Sequence, residues 1–202
     1  GKGRELAAIV WENYLQGRRR SVWFTCNTDL AQDARRDLDD IGAHEIKLRS
    51  LSAMAPRLPI EEQFSEGCLL VTYSCLVASS AEGSRMDQLL HWLGSGFDGV
   101  LAFDEAHKAK GAAHDQPVGR AVVGLQVQLP RARVVYLSAT GATQVQDMSY
   151  MTRLGLWGRG TYFVDFKAIE AVLGASGGAG AMEMLAVQLK SSGGYLARSL
   201  GL

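Results

Sequence analysis

Surplus charge of either sign is missing. Lysine and arginine number 21, aspartate and glutamate also 21, and the formal net charge is zero. Bulk electrostatics therefore mark out no general nucleic-acid binder. Cysteine is scarce. Cys26, Cys68 and Cys75 lie in or beside apolar, strand-like runs without metal-ligand spacing. They read as buried, reduced thiols of an intracellular protein. No apolar run is long enough to cross a bilayer, no secretory leader is evident, and no fixed repeat period is visible. An initiator methionine is absent too, and the abrupt start at Gly1-Lys2-Gly3-Arg4 leads us to expect a fragment. What remains is 202 residues of globular composition, enough to bury a sizeable core.

The densest signal runs from Phe97 to His107. Gly99 to Phe103 carry no polar side chain, and Asp104-Glu105-Ala106-His107 follow at once. Such an apolar run reads as a strand buried on both faces of a parallel sheet. Carboxylates at its C-terminal end sit where open α/β sheets bind ligands. Asp-Glu-Ala-His in that place is the acidic signature of a nucleotide-driven motor, with the aspartate holding Mg²⁺ and the glutamate acting on water. The plainer alternative is a solvated helix start with Asp104 as N-cap.

The other elements follow from periodicity. Leu6, Ile9, Val10 and Tyr14 predict a helix stopped by Gly17, and Ser21 to Cys26 a strand. Arg18-Arg19-Arg20 between them reads as a solvated loop. Thr28 or Asp29 is expected to cap a helix striped by Leu30, Ala34, Leu38 and Ile41 and stopped at Gly42. A short strand is expected at Glu45 to Leu48, with His44 on the surface. Residues 49–66 read as irregular, with Pro56 and Pro59. Gly67 to Tyr73 predict another buried strand, residues 78–84 a loop, and Met86, Leu89, Leu90 and Leu93 a helix. Lys108 to Pro117, with His114, reads as a mobile surface loop. Val118 to Leu129 predict a helix and Arg133 to Leu137 a strand ending in Ser138-Ala139-Thr140. Beyond it Met148 to Trp157 read as helical and aromatic. Gly174 to Gly180 read as a break, and Met182, Leu185, Ala186 and Leu189 as a last amphipathic helix.

Alternating strands and helices predict an α/β fold, a three-layer α-β-α sandwich around a mainly parallel sheet. Right-handed crossovers put all strand exits on one edge. Lys2, Thr72-Tyr73, Asp104-Glu105 and Ser138-Ala139-Thr140 would meet there. Gly1-Lys2 opening a helix matches the back half of a phosphate-binding loop. Such a loop turns backbone N–H groups towards an anion while its lysine reaches the terminal phosphates. Gly3 stands where that loop normally has a hydroxyl ligand for Mg²⁺.

This motif order resembles the first motor lobe of superfamily-two helicases. The match narrows on Gly1-Lys2-Gly3-Arg4, Phe97-Asp98-Gly99-Val100, Asp104 to Lys110, Leu129 to Tyr136, Ser138 to Ala142, Met148 to Gly158 and Gly180 to Glu183. Together these resemble the strawberry notch family over nearly the whole chain. The resemblance implies a RecA-like P-loop NTPase lobe over residues 1–166, truncated at its N-terminus, with 167–202 as a helical extension. It implies ATP and Mg²⁺ as cofactors, with Gly1, Lys2, Gly3 and Arg4 on the nucleotide. Asp104 would hold the metal, Glu105 would act on water, and His107, Ser138 and Thr140 would couple the site to movement. Thr25, Thr72 and Tyr73 match segments that touch a sugar-phosphate backbone. The implied partners are nucleic acid, in particular DNA in chromatin, a second RecA-like lobe and transcription-regulatory proteins, in the nucleus and with no membrane. The alternative reading is a helicase-like scaffold that regulates transcription through protein contacts without hydrolysing ATP.

Overall fold

The computed structural model describes residues 1–27, 30–80, 83–114, 116–139, 142, 144–175 and 179–196. Its first half runs α1 (Lys2–Leu15), β1 (Arg20–Thr25), α2 (Leu30–Asp40), β2 (Leu48–Ser50), α3 (Ile60–Gln63), β3 (Gly67–Thr72) and α4 (Tyr73–Leu76). A two-strand hairpin, β4 (Ser79–Ser80) and β5 (Gly83–Ser84), leads into α5 (Arg85–Leu93). Then come β6 (Val100–Phe103), α6 (Pro117–Gln128), β7 (Arg133–Tyr136), α7 (Phe166–Ala175) and α8 (Ala179–Ser191).

Among the described residues, β2-β3-β1-β6-β7 form one sheet in that spatial order, and every pairing is parallel. Alternation along the strands divides the core in two. Val22, Phe24, Leu69, Val71, Leu101 and Phe103 pack under α5 and α6. Trp23, Cys68, Leu70, Val100 and Ala102 pack under α1 and α2. Both faces are covered, as the apolar runs of β3 and β6 require. The expected three-layer parallel architecture is present.

Several elements depart from the sequence reading. β2 lies at Leu48–Ser50 rather than 45–48, because Ala43 and Ile46 are spent on the core in a turn before it. In α1 the buried stripe is Leu6, Ala7, Val10 and Tyr14; Ile9 faces solvent. Residues 49–66 are not wholly irregular, since Leu51–Ala53 form a 3₁₀ turn and α3 follows. The arginine run is not a loose solvated loop. Arg20 donates to the carbonyls of Ser65 and Trp92, Arg18 lies 3.4 Å from Asp98, and Arg19 stacks over Tyr14.

The expected mobile loop after His107 is also corrected. Ala106–His114 form a 3₁₀ helix with Ala106 and Ala109 buried. Alanine and glycine there permit close approach to α6, where a Cβ on Gly119 would collide with the Ala112 backbone. His114's side chain lies outside the described residues. Met148 to Trp157 are not helical either. After a short 3₁₀ turn at Val145–Met148 the chain runs through turns, with Gly155, Gly158 and Gly160 at positive φ. α7 falls where the resemblance implies a helical extension, though periodicity alone marks no separate helix there. The expected helix caps, Thr28 and Asp29, lie outside the described residues.

Candidate nucleotide site at the strand exits

The site forms where β6 ends. Asp104 N–H donates to the Phe24 carbonyl at 3.0 Å, extending the parallel ladder by one residue. Glu105 then turns out of the strand with φ at 47°, the positive-φ non-glycine residue of the described chain. Its N–H donates to Asp104 Oδ1 at 2.9 Å, and Ala106 N–H to the Leu137 carbonyl at 2.7 Å. These bonds hold a left-handed residue that costs about 1–2 kcal/mol. The turn carries Glu105 away from the sheet core.

α1 brings the lysine. Lys2 Nζ lies 3.5 Å from Glu105 Oε1, across 103 residues of chain. Both side chains are partly exposed, so the pair contributes only about 0–1 kcal/mol. A stronger anion could draw the ammonium away at little cost to the fold. Gly1 caps α1 with no side-chain bond; the Arg4 and Glu5 N–H groups donate to its carbonyl, and those of Lys2 and Gly3 have no intrahelical acceptor. A helix start with free N–H groups beside an ammonium is an anion site in kind. Arg4 is engaged on α2, where its guanidinium reaches Asp40 at 2.9 and 2.6 Å.

His107 closes the other flank. Its Nδ1 lies 3.2 Å from Ser138 Oγ and 3.2 Å from Glu105 Oε2. Contact with both oxygens ties the acidic turn to the exit of β7. Thr140 lies outside the described residues. Burial pushes the Asp104 carboxyl above the usual carboxylate range; the Glu105 N–H, the Trp23 indole and the Lys2 ammonium pull it back. In sequence Trp23 is one residue of the strand expected at Ser21 to Cys26. Nothing in its spacing marks it as a neighbour of the acid, which only the β1–β6 register provides.

The three residues matched to sugar-phosphate contacts are placed differently. Thr25 is 2% exposed and its Oγ1 has no hydrogen-bond partner. Thr72 is spent on capping α4, its Oγ1 accepting from Cys75 N–H at 3.1 Å. Tyr73 is buried, and its hydroxyl donates to the Asp104 carbonyl at 2.8 Å. Burial drives that phenol well above its ordinary range. Tyr73 therefore braces the acidic turn from beneath and is closed to a surface polymer.

Asp104 and Glu105 offer hard oxygen donors, while Lys2 and the α1 start offer positive charge. That donor set suits a triphosphate with Mg²⁺, which takes one or two carboxylates and fills its shell with phosphate and water. Among the described residues no three His, Cys, Asp or Glu form a preformed metal cage. The site is an open ledge. A shallow groove of about 570 Å³ lined by Cys26, Thr72 and Ser74 opens beside it.

A parallel sheet with a lysine at a helix start opposite an acidic strand end is the layout of a P-loop nucleotide hydrolase domain, RecA-like in architecture. Comparison with known families agrees. The family described as "P-loop containing NTP hydrolase pore-1" matches residues 1–202, and the chain belongs to it. The resemblance to strawberry notch proteins also holds along the chain. It is 46% identical over 213 residues to human strawberry notch homolog 1 and 42% over 213 residues to Drosophila melanogaster strawberry notch. It is 46% identical over 209 residues to Protein FORGETTER 1 of Arabidopsis thaliana. Each alignment covers 99% of this chain but only 15%, 13% and 16% of those relatives. No described helix is long and apolar enough to cross a membrane.

Proposed function

We propose that this chain is the nucleotide-binding lobe of an ATP-hydrolysing, helicase-like motor acting on DNA in chromatin, in the nucleus. The observation that carries the reading is the meeting of Lys2 with Glu105 beside Asp104, across 103 residues of chain and at one edge of a parallel α/β sheet. Lys2 and the α1 N–H groups would hold the β- and γ-phosphates. Asp104 would hold Mg²⁺, and bound Mg²⁺ would offset charge on the phosphates during transfer. Glu105, no longer paired to Lys2, would orient the attacking water and take its proton. His107 touches both Glu105 and Ser138, so a change at the acid is passed to the β7 exit.

Catalysis of this kind is mostly positioning and electrostatic stabilisation. A second RecA-like lobe would supply the remaining cation. The isolated chain should therefore not turn ATP over.

The test is made on the full-length protein. Glu105→Gln should leave ATP bound and abolish turnover, while Lys2→Ala should lose ATP itself. Unchanged turnover in Glu105→Gln would defeat the motor reading. So would a wild type inert under every nucleic-acid condition. Gly3, with no hydroxyl for Mg²⁺, favours the second reading: a helicase-like scaffold working through transcription-regulatory partners.

A further inference from the structure

Gly3 leaves the position after the lysine without a side-chain oxygen; the acid of the first turn of α1 is Glu5. The space is nevertheless filled. A Cβ built on Gly3 would overlap Asp37 Oδ2, with Asp37 Cγ 3.0 Å away. Asp37 belongs to α2, so an oxygen from the neighbouring helix stands in the volume that a serine or threonine at position 3 would occupy. Asp37 is held there. Its neighbour Leu38 is fully buried with Leu6 and Ala7 of α1, and Asp40, three residues along, grips Arg4. Trp23, whose indole bears on Asp104, belongs to the same cluster.

The carboxylate is also under-used. Its side chain is 14% exposed, and its ion partner, Arg36, stands 3.6 Å away, beyond hydrogen-bond length. The same guanidinium gives its other terminal nitrogen to Asp33 at 2.8 Å, so Asp37 shares this partner. A largely covered carboxylate gains from positive charge beside it. The α1 dipole supplies part of that, worth under about 1 kcal/mol in exposed settings. A divalent cation would supply more.

We infer that Asp37 provides, from α2, the oxygen for the nucleotide's divalent cation that a phosphate loop ordinarily provides from the residue after its lysine. The inference rests on the nucleotide-site reading above and adds a ligand from a second helix. It makes Gly3 a requirement of the design: any side chain there would push the Asp37 carboxylate out.

The experiment measures affinity, not turnover. A fluorescent ADP is titrated into the full-length protein with Mg²⁺ and with EDTA. Without metal, the Asp37 carboxylate repels the phosphates, so Asp37→Ala should bind metal-free ADP as well as wild type or better. With Mg²⁺ the same variant should lose about tenfold in affinity, of the order seen when metal-site partners are removed. Asp37→Ala combined with Gly3→Ser restores an oxygen at the usual place and should recover most of the loss. Asp37→Asn, of equal size, controls for packing, and thermal melting shows that each variant is folded. If Asp37→Ala shifts affinity equally with and without Mg²⁺, Asp37 acts only as a charge on the helix and the inference fails while the nucleotide site stands. A wild type that binds ADP under neither condition brings down the nucleotide reading and this one together.

Discussion

Glu105 shows how much one residue's backbone decides. As a letter it is an acid after an acid. With φ at 47° and its N–H on Asp104, it leaves the strand and meets Lys2 and His107. Its neighbour Asp104 keeps the sheet register. Two adjacent carboxylates thereby receive different surroundings, one half-buried against Trp23 and one on the open ledge. The three cysteines separate in the same manner. Cys68 on β3 is fully buried and its thiol is pushed up to about 12, while Cys26 and Cys75 are half-buried. Thiolate is the reactive form. In the native protein Ellman's reagent should therefore modify Cys26 and Cys75 only, and Cys68 should react once denaturant is added. Labelling of Cys68 at the rate of the other two would show that β3 opens readily. The types of Lys2, Asp104 and Glu105 were legible from sequence because each follows or opens a clear element. Tyr73 was legible only as a residue at a strand exit; that its hydroxyl turns inward was not.

The loop that follows β7 is organised by a single buried amide. Gln126 on α6 donates to the carbonyls of Val122 and Tyr150, at 3.0 and 2.9 Å. Its oxygen accepts from Tyr136 on β7 and from Thr152 at 2.9 Å. Arg153 completes the arrangement, donating to the carbonyls of Gln126, Leu129 and Pro130 where α6 ends. Helix, strand and the turn-rich segment are thus one unit, joined next to the strand that carries Ser138. Gln126→Leu keeps the volume and strands Tyr136 and Thr152, so it should cost about 2–3 kcal/mol in a urea melt. A cost under about 0.5 kcal/mol would mean water replaces the amide easily. The sequence misread this segment as helical because Met148, Met151, Leu154 and Leu156 do recur at helical spacing. Partners distant in sequence outbid that local pattern, and three positive-φ glycines let the chain turn.

Across the molecule the sheet is a partition between two cores, and a strand residue serves one of them. Leu69, fully buried on the α5–α6 side, has no exposed surface to relax into. Leu69→Ala should cost about 2–5 kcal/mol. The loss should appear as one cooperative shift in the melting curve, since both cores share β3. Two separate transitions would show that the layers unfold independently. Among the described residues β2 and β7 are the sheet's edge strands, and β7 is only half-buried where β1, β3 and β6 are closed on both faces.

The amino-acid order by itself determined the alternation of elements, the parallel sheet and the chemistry gathered at its exits. Those follow from side-chain periodicity and short-range stops, which are local. What only the tertiary structure decided is which groups meet: Lys2 with Glu105, Trp23 with Asp104, Asp37 with the bare backbone of Gly3. Such meetings depend on strand register and helix crossing, set by burial over the whole core, and no window of sequence contains both partners.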